Sequence, residues 1–342
     1  MKIKILLLAL ILGSCSSNYM DGYDKTDLPN AEAYVGVENE CILSCNDVNK
    51  YYGFLKNGDN MILRCDNKTL KSLDTKVRTK SGMGLTKCSV NSRQLNSVSL
   101  SQNGHWNVLD ISKSELIESD YNGKVVSNYK LPNKAQNLSA VRVGKYIVST
   151  GMYKEGRYYM YNTYTKEGHY FLDYPKTENY PDIQPLTKSL LYASNVLKAH
   201  PVKNMFVCAD ISSGVLDVCK ITNDSIKLVK RLLLSLPNVN IDEEFDFPMV
   251  TYTAENLFGF TDVTVNNNAI YALYSGNSIN DHKTDFQTCK TLLKLDWNGE
   301  INKRYELGQA LLNINYDRSN RKLYSVIVDD DSKTATLVNI KL

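Results

Sequence analysis

Charge of either sign is nearly absent in the net: 40 Lys and Arg face 37 Asp and Glu, a formal +3 over 342 residues. Removing Lys2 and Lys4 with the leader they begin would leave +1. No basic stripe runs along any stretch, which excludes the electrostatic footprint of a nucleic-acid-binding surface. Histidine is scarce too. His105, His169, His200 and His282 are scattered, and no HExxH, GxSxG, Walker or GxGxxG pattern occurs. No long segment beyond the leader carries a 3.6-residue apolar period, so a helical domain is excluded. The one long apolar run, Ile5–Leu12, is too short to span a bilayer as a helix. What is present is strand chemistry. Tyrosine outnumbers phenylalanine 23 to 8, among many Val, Thr and Ile. A hydrophobic content of 43% with 23% charged residues is that of a folded chain.

The leader reads MKIKILLLALILGSC: two lysines, an apolar core, then small residues before a cysteine. Leu12-Gly13-Ser14-Cys15 resembles the lipobox of bacterial lipoproteins. That resemblance implies cleavage before Cys15 and acylation of both its thiol and the new amino terminus. Several acyl chains hold firmly where one is marginal, since each buried methylene contributes ~0.8 kcal/mol. Residues 1–14 are therefore expected as a signal peptide and 15–33 as a polar tether. Asp21 and Asp24, close behind Cys15, resemble loosely the acidic signal of surface-exported lipoproteins, so periplasmic and surface display both stay open.

From residue 34 to 342 the sequence predicts one all-β domain. Leu95–Leu131 reads as four short strands whose first and last turns are Asn103-Gly104 and Asn122-Gly123, the pair suited to tight turns with positive φ. A four-stranded unit of that length is a propeller blade. The stretch from Leu116, LIESDYNGKVVSNYKL, recurs from Leu292 as LLKLDWNGEINKRYEL. Asp120 and Asp296 then lie 176 residues apart, about three repeats of 59. Similar units are read over Tyr51–Lys76 (ended by a glycine break at Ser81–Gly84), Leu138–Tyr174, Leu190–Leu234 and Gly259–Leu307. The last, Ala310–Leu342, supplies three strands only. Six blades of four antiparallel strands follow, with the last blade completed by a strand from Ala31–Ile42. The Cys15 motif, the Asp-[Tyr/Trp]-Asn-Gly hairpins and the ending ALLNINYDRSNRKLYSVIV resemble the TolB-like six-bladed β-propeller lipoproteins of Bacteroidetes. The resemblance implies a fold and an envelope location; it carries no catalytic residues.

Candidate chemistry is sparse. Without Cys15 seven cysteines remain: Cys41, Cys45, Cys65, Cys88, Cys208, Cys219 and Cys289. An odd number leaves at least one thiol free or bridged to another chain. Cys208 and Cys219 flank the Ser212–Gly214 turn, so they either face each other across a hairpin or act as small apolar residues. Cys41-x-x-x-Cys45 lacks partners at zinc spacing, and the acidic runs Asp242–Asp246 and Asp329–Asp331 read as solvated turns, not calcium loops. No metal or cofactor is expected. Asp120 and Asp296 read as hairpin residues. Within the aromatic run Tyr153–Tyr174, Tyr158, Tyr159, Tyr161 and Tyr164 are candidate ligand-stacking residues if exposed, or packing between blades if not.

The expected protein is a monomeric propeller, attached through lipid to the outer membrane of a Gram-negative bacterium. It would serve as a binding or scaffold module for a protein or glycan of the envelope. The long connections Lys176–Pro185, Pro237–Phe247 and Gly276–Phe286 are the candidate rim. The alternative is a propeller enzyme acting on glycans or small esters, which would need a metal or carboxylate cluster at the channel mouth. A membrane-spanning β-barrel fits poorly with strands this short.

Overall fold

The computed structural model describes residues 26–31, 33–43, 53–57, 60–64, 70–79, 82–88, 95–120, 122, 124–176, 179–244, 247–282, 288–329 and 334–342. Strands β1 (Ala33–Val35) and β2 (Val37–Leu43) come first. Next, β3 (Gly53–Asn57), β4 (Asn60–Arg64), β5 (Leu70–Thr79) and β6 (Gly82–Cys88) form blade 1. Blade 2 is β7 (Leu95–Leu100), β8 (Trp106–Asp110), β9 (Glu115–Ser119) and β10 (Val125–Lys130). Blade 3 is β11 (Asn137–Val143), β12 (Tyr146–Gly151), β13 (Tyr158–Asn162) and β14 (Gly168–Phe171). After helix α1 (Pro185–Leu191), blade 4 is β15 (Asn195–Ala199), β16 (Met205–Asp210), β17 (Val215–Thr222) and β18 (Ser225–Leu233). A separate hairpin, β19 (Val239–Asp242) and β20 (Met249–Tyr252), precedes blade 5. That blade is β21 (Phe260–Val265), β22 (Ile270–Tyr274), β23 (Cys289–Leu295) and β24 (Ile301–Leu311), with the short helix α2 (Ile279–His282) between its second and third strands. Blade 6 is β25 (Asn315–Asp317), β26 (Lys322–Asp329) and β27 (Thr334–Ile340), completed by β2.

The innermost strands β3, β7, β11, β15, β21 and β25 each lie beside the next, and β25 lies beside β3, so the ring closes. Two devices secure the closure. Strand β2 pairs antiparallel with β27 from Val37↔Ile340 to Leu43↔Ala335, as the three-stranded ending required. Across the seam between blades 6 and 1, the Lys56 N–H donates to Asn315 Oδ1 (2.9 Å) and its ammonium to Asp317 Oδ2 (2.9 Å). Strand β1 adds something not foreseen, a fifth strand parallel to β24 on the outside of blade 5. The segment read as tether is docked from Thr26 onward. The Thr26 N–H donates to Leu233 O, Leu28 packs on the blade 4–5 core, and Arg304 binds Pro29 O.

Each blade is packed on both faces, which explains the composition. Along β16, Met205, Val207 and Ala209 face blade 5, while Phe206 and Cys208 face blade 3. Every residue of β12, β13, β16 and β22 is buried, so these strands are mostly apolar without alternation, with polar residues at the ends of β12, β13 and β16. The outer strand β10 is half-exposed and mixed. The core is thus a set of slabs between neighbouring blades.

The repeated hairpins are superposable in their bonding. Asp120 Oδ1 accepts the N–H groups of Asn122 and Lys124, both at 2.9 Å. Asp296 Oδ1 accepts those of Asn298 and Glu300, at 2.9 and 3.0 Å. Gly299 sits at φ +84°, the left-handed conformation that the Asn-Gly pair supplies.

Two sequence expectations need correction, and a third, left as two alternatives, is decided for buried apolar thiols. Of the break read at Ser81–Gly84, the described residues Gly82–Gly84 are strand: β6 starts at Gly82, which pairs with Thr79 of β5. Pro237–Phe247 is not a plain connection, since Val239–Asp242 pairs with Met249–Tyr252. Cys208 and Cys219 do not face each other. The register sets Cys208 opposite Asp217 and Cys219 opposite Phe206, a diagonal relation. Diagonal Cβ atoms stand ~7–8 Å apart, whereas a disulfide needs about 4 Å. Both are buried free thiols, as is Cys289. Burial pushes the Cys208 thiol up to about 12. The side chains of Cys41 and Cys88, the whole of Cys15, Cys45 and Cys65, and the side chains of the Asp329–Asp331 run lie outside the described residues.

Candidate functional site

The innermost strands enclose a chamber of about 400 Å³ on the ring axis. All six blades contribute to its lining: Phe54 from blade 1, Ser97 and Val98 from blade 2, Leu138 and Ser139 from blade 3, Asn195–Lys198 from blade 4, Thr261 and Asp262 from blade 5. Leu312 and Asn313 lead into blade 6. These residues lie toward the starts of their strands. Further along the same strands the channel shrinks to a passage of about 20 Å³ lined by Ser99, Leu100, Lys198, Thr264, Asn315 and Arg318, among others. Lys198 lines both spaces and marks the chamber floor.

The two ends of the channel are built differently. At the narrow end the first and second strands of blades 2 to 6 meet in short turns, and Gln102 locks three of them together. It accepts the Gly144 N–H of blade 3 and donates to His200 O and Lys203 O of blade 4. His200 belongs to this frame, not to a reactive site. Its Nδ1 accepts the N–H groups of Val202 and Lys203, and its ring packs 4.6 Å from Trp297. Burial, with Lys203 and Arg318 nearby, lowers its pKa to about 4.

At the wide end the three long connections join into one wall. Glu243 on the β19–β20 hairpin accepts the Gln184 N–H (3.0 Å) and the Thr187 hydroxyl at the start of α1. Tyr180 O–H donates to Val239 O (2.8 Å), and Tyr252 O–H to Leu191 O (2.9 Å). The α2 segment is tied on through Asn280 N–H to Ala254 O (3.0 Å). Beneath the wall the backbones of blades 4 and 5 touch: Gly259 N–H donates to Ile211 O (2.8 Å), and a Cβ at 259 would stand 1.6 Å from Ser213 O. Phe247 and Met249 on the hairpin, Leu257 behind it and Leu312 at the chamber are exposed apolar side chains on this end. The acidic run 242–246, read as a solvated turn, thus holds the wall together through Glu243.

Under the wall, between blades 3 and 4, lies a buried ionic cluster that sequence patterns did not reveal. Arg157 Nη2 binds both oxygens of Asp210 (3.0 and 3.1 Å), and its Nε lies 3.0 Å from Asp217 Oδ2. Arg231 closes on Asp217 with contacts of 2.6 and 2.8 Å. The Arg157 guanidinium also sits over the rings of Tyr158 and Tyr192, at 5.6 and 5.2 Å. Burial pushes the Asp210 carboxyl from 3.8 up to about 7, with Arg157 opposing that rise. Burial acts on Asp217 in the same sense, but Arg231 and Arg157 outweigh it and hold that carboxyl at about 2. The two windows have opposite signs. From pH 2 to 4 the unfolded chain binds the Asp217 proton and the native state does not, so stability rises with pH. From pH 4 to 7 the native state retains the Asp210 proton and the unfolded chain does not, so stability falls as pH rises. Urea unfolding midpoints should therefore drop between pH 4 and 7, and Asp210→Asn should flatten that drop. An identical slope in the variant would show that Asp210 is ordinary.

The aromatic candidates divide by strand alternation. Tyr158 packs toward blade 4 and Tyr159 and Tyr161 toward blade 2, at 0%, 4% and 7% exposure, against 76% for Tyr164 in the following turn. The exposed-face reading fails for the first three because both faces of β13 are covered. Tyr158 O–H donates to Asp217 Oδ2 (2.7 Å) as part of the ionic cluster. Tyr159 packs against Tyr153 and Tyr170, with ring centroids 6.5 and 5.0 Å away. Only Tyr164 presents a ring to solvent. Among the described residues no three His, Cys, Asp or Glu side chains are grouped as metal ligands, and no helix is long and apolar enough to cross a membrane.

Six radial sheets around a chamber with one walled mouth define a six-bladed β-propeller. The chain belongs to the TolB-like 6-blade propeller-like family, which it matches over residues 90–319. Among solved structures, the WD40 repeats of RRP9 align with a TM-score of 0.50 and 9% identity, over 89% of this chain and 98% of that one. The Cps50 (Swd1) propeller domain of Myceliophteria thermophila aligns at 0.48 and 10%, over 89% and 99%. Streptogramin B lyase aligns at 0.48 and 12%, over 89% and 98%. At such identities the likeness is one of fold. No curated relative matches by sequence.

Proposed function

We propose that this protein is a lipid-anchored propeller of a Gram-negative outer membrane that works as a binding module, with its ligand or partner met at the wide mouth. The observation that carries the binding reading is the asymmetry of the two ends. Three long connections stand at one mouth, two of them hydrogen-bonded to each other and the third to the segment after β20, while the described turns of the other end are short. Loops held on a rigid ring are where binding residues concentrate. The anchor reading rests on Leu12-Gly13-Ser14-Cys15. Ten residues, eleven backbone steps, separate Cys15 from the docked Thr26, so the propeller would stay within about 40 Å of the lipid.

Two measurements test this. Cys15→Ala should abolish incorporation of radioactive palmitate and release the chain from the membrane fraction; continued labelling would remove the anchor. Capture of the lipidated protein from native envelopes should enrich one consistent protein or glycan, and Phe247→Ser/Met249→Ser should lose it. The same profile from the double variant would mean that the wall is not the binding face.

A further inference from the structure

The floor of the chamber carries a positive charge that the fold does not neutralise. Lys198 extends from blade 4 past the inner edge of blade 3 and donates one hydrogen bond, 3.3 Å long, to Val98 O of blade 2. An ammonium has three donors, so two remain. Among the described residues no carboxylate lies within ion-pair distance of it. Below it the narrow passage is lined by Arg318, bonded to Ser101 O, and, among the described residues, by no acidic side chain. The chamber's own carboxylate, Asp262, is engaged in the frame: its oxygens accept the N–H groups of Val263 (2.8 Å) and Ile314 (3.0 Å). A second observation comes from blade 3, between the two strands that Lys198 bridges. Ser139 lines the chamber, is 1% exposed, and its Oγ has no hydrogen-bond partner. Ser101, Ser119, Thr253 and Tyr192 carry buried hydroxyls in the same state, but of these residues Ser139 alone lines the chamber. Phe54, Ile211 and Leu312 supply apolar lining, beside the polar Ser194, Asn195, Thr261 and Asn313.

We propose that the chamber binds a small organic carboxylate, its anionic end held by Lys198 and Ser139 and its apolar body lying toward Phe54, Ile211 and Leu312. The volume is within the range of small-molecule sites. One ammonium and one hydroxyl suit a carboxylate. A phosphate dianion would call for the arginine fork or cluster of backbone N–H groups that the chamber does not present. The proposal rests on the wide mouth being the entrance.

The test uses the purified full-length chain in detergent, with binding followed by calorimetry at millimolar benzoate, butyrate, benzamide and inorganic phosphate. Benzoate should bind, its neutral amide should bind at least about tenfold more weakly, and Lys198→Met should weaken benzoate by about ten- to a hundredfold, the loss of one charge-assisted hydrogen bond. Lys198→Arg should retain binding, and Ser139→Ala should weaken it several-fold. Should Lys198→Met fail to fold, the benzoate-to-benzamide ratio and the Arg variant decide alone. Equal binding of benzoate and benzamide, unchanged binding in Lys198→Met, tighter binding of phosphate, or no carboxylate binding would each overturn the proposal. If envelope capture still depends on Phe247 and Met249 while no carboxylate enters, the chamber proposal falls and the rim reading stands.

Discussion

Arg157→Met should lower the free energy of unfolding by about 3–5 kcal/mol, the range for breaking one side of a buried ion pair. Arg157 is 2% exposed and is the cation nearest Asp210. Asp217 would keep Arg231, at 2.6 and 2.8 Å, but Asp210 would keep only a long contact from Ser213 (3.4 Å) with the Asp217 charge nearby. A carboxylate in that position protonates instead of staying ionised, so its pKa should climb beyond the present value of about 7. The cation–π contacts with Tyr158 and Tyr192 go as well. Because the cluster spans blades 3 and 4 beneath α1, the loss should loosen the wall. Urea unfolding measures the effect, and Arg157→Met/Asp210→Asn should recover part of it by removing the buried acid that must otherwise take up a proton. A change below about 1 kcal/mol would mean that the two blades are held by their apolar slab alone.

How much of this was legible follows from how local each feature is. The hairpins from Leu116 and Leu292 were readable because the Asp, Asn and Gly that build each turn are adjacent in sequence. Blade closure was readable because three terminal strands leave one edge open. The register of Cys208 against Cys219 was not: the turn between them looked symmetric, but the pairing is offset, and a short sequence does not reveal which residue stands opposite which. The tyrosines of β13 stayed open between stacking and inter-blade packing for a related reason. Alternation tells which residues share a face, not whether the second face is covered, and in a propeller both are. The β19–β20 hairpin was hidden by its acidic tip, whose Glu243 is used to hold α1. The chamber could not be read at all. Each blade lends it a few residues from its innermost strand, so Ser139 and Lys198 are neighbours in the ring while lying far apart in sequence.

Deleting the chain through Leu43, and with it β1 and β2, should yield protein that does not fold to a soluble monomer. Strand β2 makes the whole outer edge of blade 6, and without it the N–H and C=O groups of β27 from Ala335 to Ile340 stand open to other chains. Val35, 4% exposed, leaves the slab between blades 5 and 6, and β24 loses its parallel partner at the same time. Loss of Thr26 also frees the strap that reaches blade 4. Contacts at the Lys56–Asp317 seam would remain, but they join blades 1 and 6 at their inner strands and leave the outer edge of blade 6 bare. The measurement is the soluble fraction after refolding, followed by hydrogen exchange of the β27 amides in whatever remains soluble. A synthetic peptide of residues 26–43 supplied in trans should restore solubility and protect those amides, since it offers the missing strand without the covalent link. A truncated chain that melts like the intact one would mean that the six inner strands close the ring unaided. The pairing of β2 would then serve only to fix where the leader emerges.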